Sequence, residues 1–412
     1  MLLPIGSKLS VGGPQLFEID SQKHTLIAGK SGTGKSTMLV NIACWHIRNG
    51  DGLLFIDPHG DAADAVLSHI PKSRIRDVIL IDPSAKKVPG LNIFDYDDAD
   101  DKERATQAFL TMMKSIAQEN WGPETERILN AGADAILSHF KHPSVLHIYL
   151  FIARPSFRKK IAESAKDPML KDFIEQYDKE LRPSERMSKF SPPMNKLDKF
   201  IRPSVRTLIG QDTSIDFLDA MDSRKIIIAR IPKGELGALA SSIIGSVIVS
   251  HLAISSLRRK GLRAPFVAVI DEVHNFVHGI DLPTLLAEAR KYGVSLFLAT
   301  QNLDQLPVPA AVFGNCSNLI TFRMGGKDAE IMAQELGDPL LAQPIVNLPD
   351  RTFYASVVRD GTPILGQHIN ALPPFKRLGD EADKRTVMKV SRMRYGKKRK
   401  ELDEKILKFL SQ

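Results

Sequence analysis

The sequence is short of cysteine and of long apolar runs, and each shortage narrows what the chain can be. Cys44 and Cys316 are its only cysteines. They lie far apart and outside any zinc-type spacing, so neither a disulfide framework nor a structural zinc site is expected, and a reducing cytosol fits. No stretch approaches the roughly 20 uninterrupted apolar residues that cross a bilayer. The apolar start, residues 1–5, is too brief for a signal-peptide core. The expectation is a soluble, cytoplasmic protein with no transmembrane segment of its own. Internal repeats and low-complexity tracts are also missing. What is present is 412 residues with 43% hydrophobic content, enough to bury a substantial core in one large domain plus an insertion, or in two domains.

The formal net charge of +8 is unevenly placed, because residues 376–412 carry 13 Lys/Arg against 6 Asp/Glu. A basic tail suits a polyanion, either nucleic acid or an anionic membrane face, or is simply a solvated helix.

A short apolar strand at 24–28 runs into Gly29-Lys30-Ser31-Gly32-Thr33-Gly34-Lys35-Ser36-Thr37 and then into a helical pattern at 38–48, which Gly50-Asp51-Gly52 stops. Apolar runs at 53–56, ending in Asp57-Pro58-His59-Gly60-Asp61, and at 78–81, ending in Asp82-Pro83, continue a β-α-β-α-β rhythm. That rhythm belongs to a parallel sheet covered on both faces. From Asp97 to about Asp216 the periodicity is helical, with amphipathic runs at 124–139, 172–181 and 194–201 and joints at Pro183, Pro192, Pro193 and Pro203. Strands resume at 225–231, 266–270, 295–299 and 319–323, with helices at 236–257 and 282–292 between them. Runs at 352–358 and 362–367 flank Asp360-Gly361, a turn dipeptide that argues for a hairpin at the edge. The expected domains are therefore 1–96 and 217–373 as two parts of one α/β core, 97–216 as an all-helical insertion, and 374–412 as a basic helical tail.

Gly29, Gly34, Lys35 and Ser36 satisfy G-x-x-x-x-G-K-[ST] between a strand and a helix. Glycines at that spacing let backbone N–H groups curl around a β-phosphate, and the helix N-terminus adds positive potential. Lys35 then reaches the β and γ oxygens and Ser36 ligates Mg²⁺. A second acid is needed for the metal, and a base for the attacking water. The strand Phe266-Val267-Ala268-Val269-Ile270 ends in Asp271-Glu272, which places Asp271 toward the metal and Glu272 toward the water at the carboxyl edge of the sheet. Asp57, Asp61 and Asp82 are weaker metal candidates. Gln301, at the end of the next strand, is placed to hydrogen-bond the γ-phosphate or the water and so to report hydrolysis. The expected ligands are thus ATP and Mg²⁺.

With these pieces in order, the chain resembles the HerA/FtsK superfamily, in particular HerA-like and type IV coupling-protein-like motor ATPases. The matching stretches are the glycine loop at 29–37, Ile56-Asp57-Pro58-His59-Gly60-Asp61, Gly90-Leu91-Asn92, Trp121-Gly122-Pro123, Ile231-Pro232-Lys233-Gly234, Ile270-Asp271-Glu272, Glu288-Ala289-Arg290-Lys291-Tyr292-Gly293 and Ala299-Thr300-Gln301. The resemblance covers about residues 2–367. It implies a RecA-like (ASCE) P-loop NTPase core with an all-α domain inserted between the two acidic and phosphate motifs. It also implies a ring, usually a hexamer, with ATP at subunit interfaces and DNA through the middle. In the family an arginine of the Arg-Lys-Tyr-Gly segment acts on the neighbouring subunit's nucleotide, and here that residue is Arg290. Arg323 and Arg351 are the competing trans-acting candidates. Coupling proteins begin with transmembrane helices, whereas this sequence reaches its glycine loop within 30 residues. It is expected either to dock on a membrane apparatus or to process DNA in the cytosol.

The run Lys397-Lys398-Arg399-Lys400 offers phosphate contacts, and with no sequence-reading module present, DNA binding is expected to rest on backbone charge. Three functions follow as expectations. The first is a ring-forming DNA translocase, the second a secretion-apparatus ATPase acting mainly on protein, and the third an ATP-gated scaffold on DNA that recruits a nuclease or defence effector.

Overall fold

A computed structural model of the chain describes residues 1–10, 13–96, 98–117, 121–261, 263–306, 308–359 and 361–411. Asp97, where the helical insertion is expected to begin, Asp360 of the expected hairpin turn, and Gln412 at the end of the tail lie outside the described residues.

Among the described residues an eleven-stranded sheet forms the spine. Seven strands run parallel, in the spatial order Asn318–Thr321, Thr25–Ala28, Val294–Thr300, Phe266–Ile270, Gly52–Asp57, Ile226–Arg230 and Val78–Ile81. Beyond Asn318–Thr321 the sheet continues antiparallel through Thr352–Arg359, Thr362–Ala371, Leu2–Ser10 and Gly13–Asp20. The α/β class and the mostly parallel sheet expected from the sequence are therefore found. The N-terminal antiparallel strands Leu2–Ser10 and Gly13–Asp20 are an addition at the far edge that the sequence reading did not include.

The parallel strands are apolar on both sides because both faces are covered. Alternation along a strand sends Leu54 and Ile56 to one core and Leu53 and Phe55 to the other, and Ile79 and Ile81 part from Val78 and Leu80 in the same way. On one face lie the helices Lys35–Arg48 and Asp61–Leu67. On the other lies Ala238–Arg258 together with the helix Ala99–Ala117 and the helices within 123–209.

Prolines punctuate that helical layer in two ways. Pro123, Pro155, Pro168, Pro183 and Pro203 each open a helix, where the missing N–H costs nothing. Pro192 and Pro193, expected as joints, instead lie inside the helix Pro183–Leu197, so no separate helix begins at 194. The two lost donors sit late in the helix, and the carbonyls they would have met belong to Ser188, which is exposed, and Lys189, which is half-exposed, so water has access in place of the bond.

Ala238–Arg258 corrects the reading that no segment is long and apolar enough to cross a membrane. By length and composition this 21-residue helix passes, with a mean hydropathy of 1.8 over its best window. Its interspersed serines hid it from a search for an uninterrupted run. In this fold 78% of that window is buried in protein. Ser250 and Ser256 turn their hydroxyls back to the Ser246 and Leu252 carbonyls, Ser241 and Ser242 donate to the Ile231 and Asn275 carbonyls, and the buried Ser246 hydroxyl has no hydrogen-bond partner among the described residues.

The basic tail is docked. Lys384–Tyr395 packs beside Val78–Ile81, with Arg392 paired to the buried Asp82 at 2.7 Å and Ser391 accepting the Leu80 N–H. Lys397–Lys398 then pairs antiparallel with Lys87–Val88, and Arg399 donates to the Pro83 carbonyl. Part of the basic run is thereby committed to the body of the protein, while Lys397, Lys398 and Lys400 are exposed.

Candidate nucleotide site

The glycine loop leaves the sheet at the carboxyl end of Thr25–Ala28, between strands that end in Thr300 and Thr321. Its backbone is tied to both neighbours: the Gly29 N–H donates to the Thr300 carbonyl at 3.3 Å and the Lys30 N–H to the Arg323 carbonyl at 2.8 Å. Gly34 has φ +122°, a conformation that L side chains rarely adopt. Gly29 is needed for a steric reason, because a Cβ there would stand 2.6 Å from the Cβ of Phe322. Phe322 is fully buried, packs on Phe353 and forms the floor under the loop. Sequence reasoning missed it, since a strand-end phenylalanine carries no motif.

One cavity of about 440 Å³ gathers the loop and the acids. Its lining includes Ser31, Gly32, Gly34, Lys35, Ser36 and Thr37 on one side and Asp271, Glu272 and Gln301 on another. The Lys35 ammonium donates to the Gly29 and Lys30 carbonyls, which holds it over the loop. Burial lowers its pKa, and the charges of Asp271 and Glu272 oppose that shift. Thr33 is buried and serves the loop itself, its hydroxyl donating to the Lys30 carbonyl at 2.7 Å.

Asp271 is 4% exposed, and its carboxyl is pushed up to about 6 by burial first and then by the charges of Glu272 and Asp57. A buried acid with two acidic neighbours is ready to gain from a cation. Glu272 is equally buried and holds a left-handed backbone, φ +49°, uncommon outside glycine. The Asp271 carboxylate accepts the Glu272 N–H at 3.0 Å, and His274 Nδ1 lies 3.6 Å from the Glu272 carboxylate.

The other acids have different work. Asp57 lines the same cavity, and its two oxygens each accept one N–H bond, from His59 and Ala63, both at 2.8 Å, which shapes the turn into Asp61–Leu67. Asp61 is exposed and lines the cavity rim. Asp82 ends the outermost parallel strand and is held by Arg392. Among the described residues no cluster of three His, Cys, Asp or Glu side chains could by itself hold a metal ion. A Mg²⁺ site here accordingly needs phosphate oxygens beside Ser36 and Asp271, which is how this ion is usually bound.

The three arginines separate. Arg290 is exposed in a single 3₁₀ turn, Ala289–Tyr292, just before Val294–Thr300 begins. It lies at the opposite edge of the sheet from the glycine loop, in a second cavity of about 600 Å³ lined also by Arg263, Lys291 and His46. Arg323 is tied to the Leu348 carbonyl and to Asp350. Arg351 lines the glycine-loop cavity of its own chain.

Comparison with known proteins matches residues 265–340 to the family described as the TraM recognition site of TraD and TraG. No curated protein sequence matches the chain. Among solved structures, the bacterial conjugative coupling protein TrwB, lacking its first 70 residues and unbound, superimposes with a TM-score of 0.62 at 17% identity, over 87% of this chain and 89% of that one. TrwB in complex with ADP and Mg²⁺ gives 0.57 at 17% identity, over 87% and 89%. VirB4 of Thermoanaerobacter pseudethanolicus gives 0.58 at 16% identity, over 90% of this chain and 96% of that one. Fold and sequence motifs agree: the chain has the RecA-like P-loop fold shared by the conjugative coupling protein and VirB4.

Proposed function

We propose that the chain binds ATP with Mg²⁺ at residues 29–37 and hydrolyses it as one subunit of a ring, a DNA-moving motor of the coupling-protein kind. The observation that carries this reading is the single cavity in which a strained, glycine-built anion cradle, Lys35, two buried carboxylates and a strand-end amide converge. Backbone N–H groups and Lys35 hold the phosphates, and Ser36 and Asp271 hold the metal, which neutralises charge on the transferring group. Glu272 orients the attacking water, and Gln301, on the strand hydrogen-bonded to the loop's own strand, contacts the γ-phosphate or that water. Arg290 is exposed and lines a cavity separate from that of its own glycine loop, which leaves it available to a neighbour's nucleotide. The fold shared with TrwB supports DNA as the load, and the exposed lysines of the tail offer sequence-independent phosphate contacts.

The test is ATP turnover of the purified protein with and without duplex DNA across protein concentration. Turnover that rises with assembly and with DNA is expected. No turnover under any condition would refute the ATPase reading. Glu272→Gln should bind ATP and stall, with turnover down on the order of 10²-fold or more, while Lys35→Ala should lose phosphate binding itself.

A second reading, a secretion-apparatus ATPase working mainly on protein, is favoured by the likeness to VirB4 over nearly all of that chain. Turnover indifferent to DNA would select it over the first. A DNA-bound scaffold that recruits a nuclease or defence effector would turn over ATP without ATP-dependent movement on single DNA molecules.

A further inference from the structure

Arg351 is fastened to the glycine loop by its backbone. Its N–H donates to the Thr33 carbonyl at 2.9 Å, and its own carbonyl accepts from the Ala371 N–H at 2.8 Å. Its Cα lies 3.6 Å from the point that a Cβ on Gly34 would occupy. The residue holds φ +62°, a left-handed conformation that costs a side chain about 1 kcal/mol or more and that the two hydrogen bonds impose. The long side chain so positioned lines the cavity with Ser31, Gly32 and Lys35. Unlike the guanidinium of Arg323, that of Arg351 makes no hydrogen bond or ion pair with any described residue.

Sheet order decides which part of a nucleotide it can reach. The strands ending in Gln301 and in Asp271-Glu272 lie on one side of Thr25–Ala28, and the strand that Arg351 precedes, Thr352–Arg359, lies on the other. Arg351 and the metal-side acids therefore flank the loop from opposite sides. The cavity wall next to Arg351 is Ala371, Leu372 and Pro374, an apolar strip with little to offer a phosphate. We propose that Arg351 is a binding residue that clamps the diphosphate of the nucleotide held by its own chain, with the strip from Ala371 to Pro374 facing the nucleoside. The proposal rests on the nucleotide-binding reading above, and it removes Arg351 from the trans-acting candidates. A guanidinium fork suits two phosphate oxygens at once. Because the diphosphate is common to ATP and ADP, the interaction is made equally with both and falls on affinity rather than on the chemical step.

The experiment titrates Mg·ADP and a non-hydrolysable ATP analogue into the full chain, as wild type, Arg351→Gly and Arg351→Lys. Glycine adopts φ +62° without steric cost, so this variant keeps the fold while losing the charge. An unchanged unfolding midpoint verifies that. Arg351→Gly should weaken both ligands by the same factor, on the order of tenfold to a hundredfold for a lost charge-assisted bond. Arg351→Lys should fall in between, and in turnover assays the loss should appear in KM. Mixing Arg351→Gly with Lys35→Ala should not restore turnover at low ATP. Wild-type ADP affinity in Arg351→Gly, a loss confined to kcat, or rescue in the mixture would each overturn the proposal. Failure of the wild type to bind either ligand is a separate result and refutes the nucleotide reading itself.

Discussion

Replacing Asp271 by asparagine should stabilise the ligand-free protein at neutral pH. The carboxyl has 4% exposure, with Glu272 and Asp57 among its charged neighbours, and it is pushed up to about 6 from its usual value near 3.8. At 1.36 kcal/mol per pK unit, holding it ionised in the folded protein costs on the order of 3 kcal/mol. The unfolded chain releases this proton near pH 4 and the folded chain near pH 6. The wild type therefore loses stability as pH rises through that interval and is level above it. Asparagine keeps an oxygen to accept the Glu272 N–H and cannot titrate. Urea unfolding without metal or nucleotide should show no gap between the two proteins below about pH 4. The variant's advantage should open between about pH 4 and 6 and stay constant to pH 8. Mg²⁺ with nucleotide should then raise the wild-type midpoint more than the variant's, since the cation favours the ionised form. A gap that ignores pH, or a variant less stable at pH 8, would refute the reasoning.

Phe322→Ala should cost about 3–5 kcal/mol in unfolding free energy, because the ring is fully buried against Phe353. It should also weaken nucleotide binding in calorimetry, since the floor beneath Gly29 and Gly34 goes with it. Arg158→Ala removes a buried guanidinium that serves Asp178 and the carbonyls of Phe151 and Ile152. A loss of about 3–5 kcal/mol is expected, and hydrogen exchange should accelerate across residues 145–190 while the sheet stays protected.

Much of the sheet was legible because each parallel strand is apolar on both faces and ends in a turn or an acid. The run at 78–81 and the one at 266–270 coincide with their strands residue for residue. The interior prolines of Pro183–Leu197 were misread because a proline's effect depends on whether the carbonyl it abandons meets water or protein, which only packing decides. The helix Ala238–Arg258 shows the same limit from the other side: its composition admits a membrane or a protein core, and the surrounding sheet and helices supply the core.

The sequence by itself determined the chemistry on offer: a glycine loop between strand and helix, a lysine at its end, and paired acids closing a distant apolar strand. Those are local patterns, fixed by backbone sterics and by alternation along a strand. Tertiary structure alone decided which of them meet. It tied Asp57 to backbone N–H groups and Asp82 to Arg392, and left Asp271 buried beside Glu272. It also carried Arg290 to one edge of the sheet and Arg351 to the other. Strand order sets those distances, and strand order comes from packing between segments hundreds of residues apart, which no local pattern records.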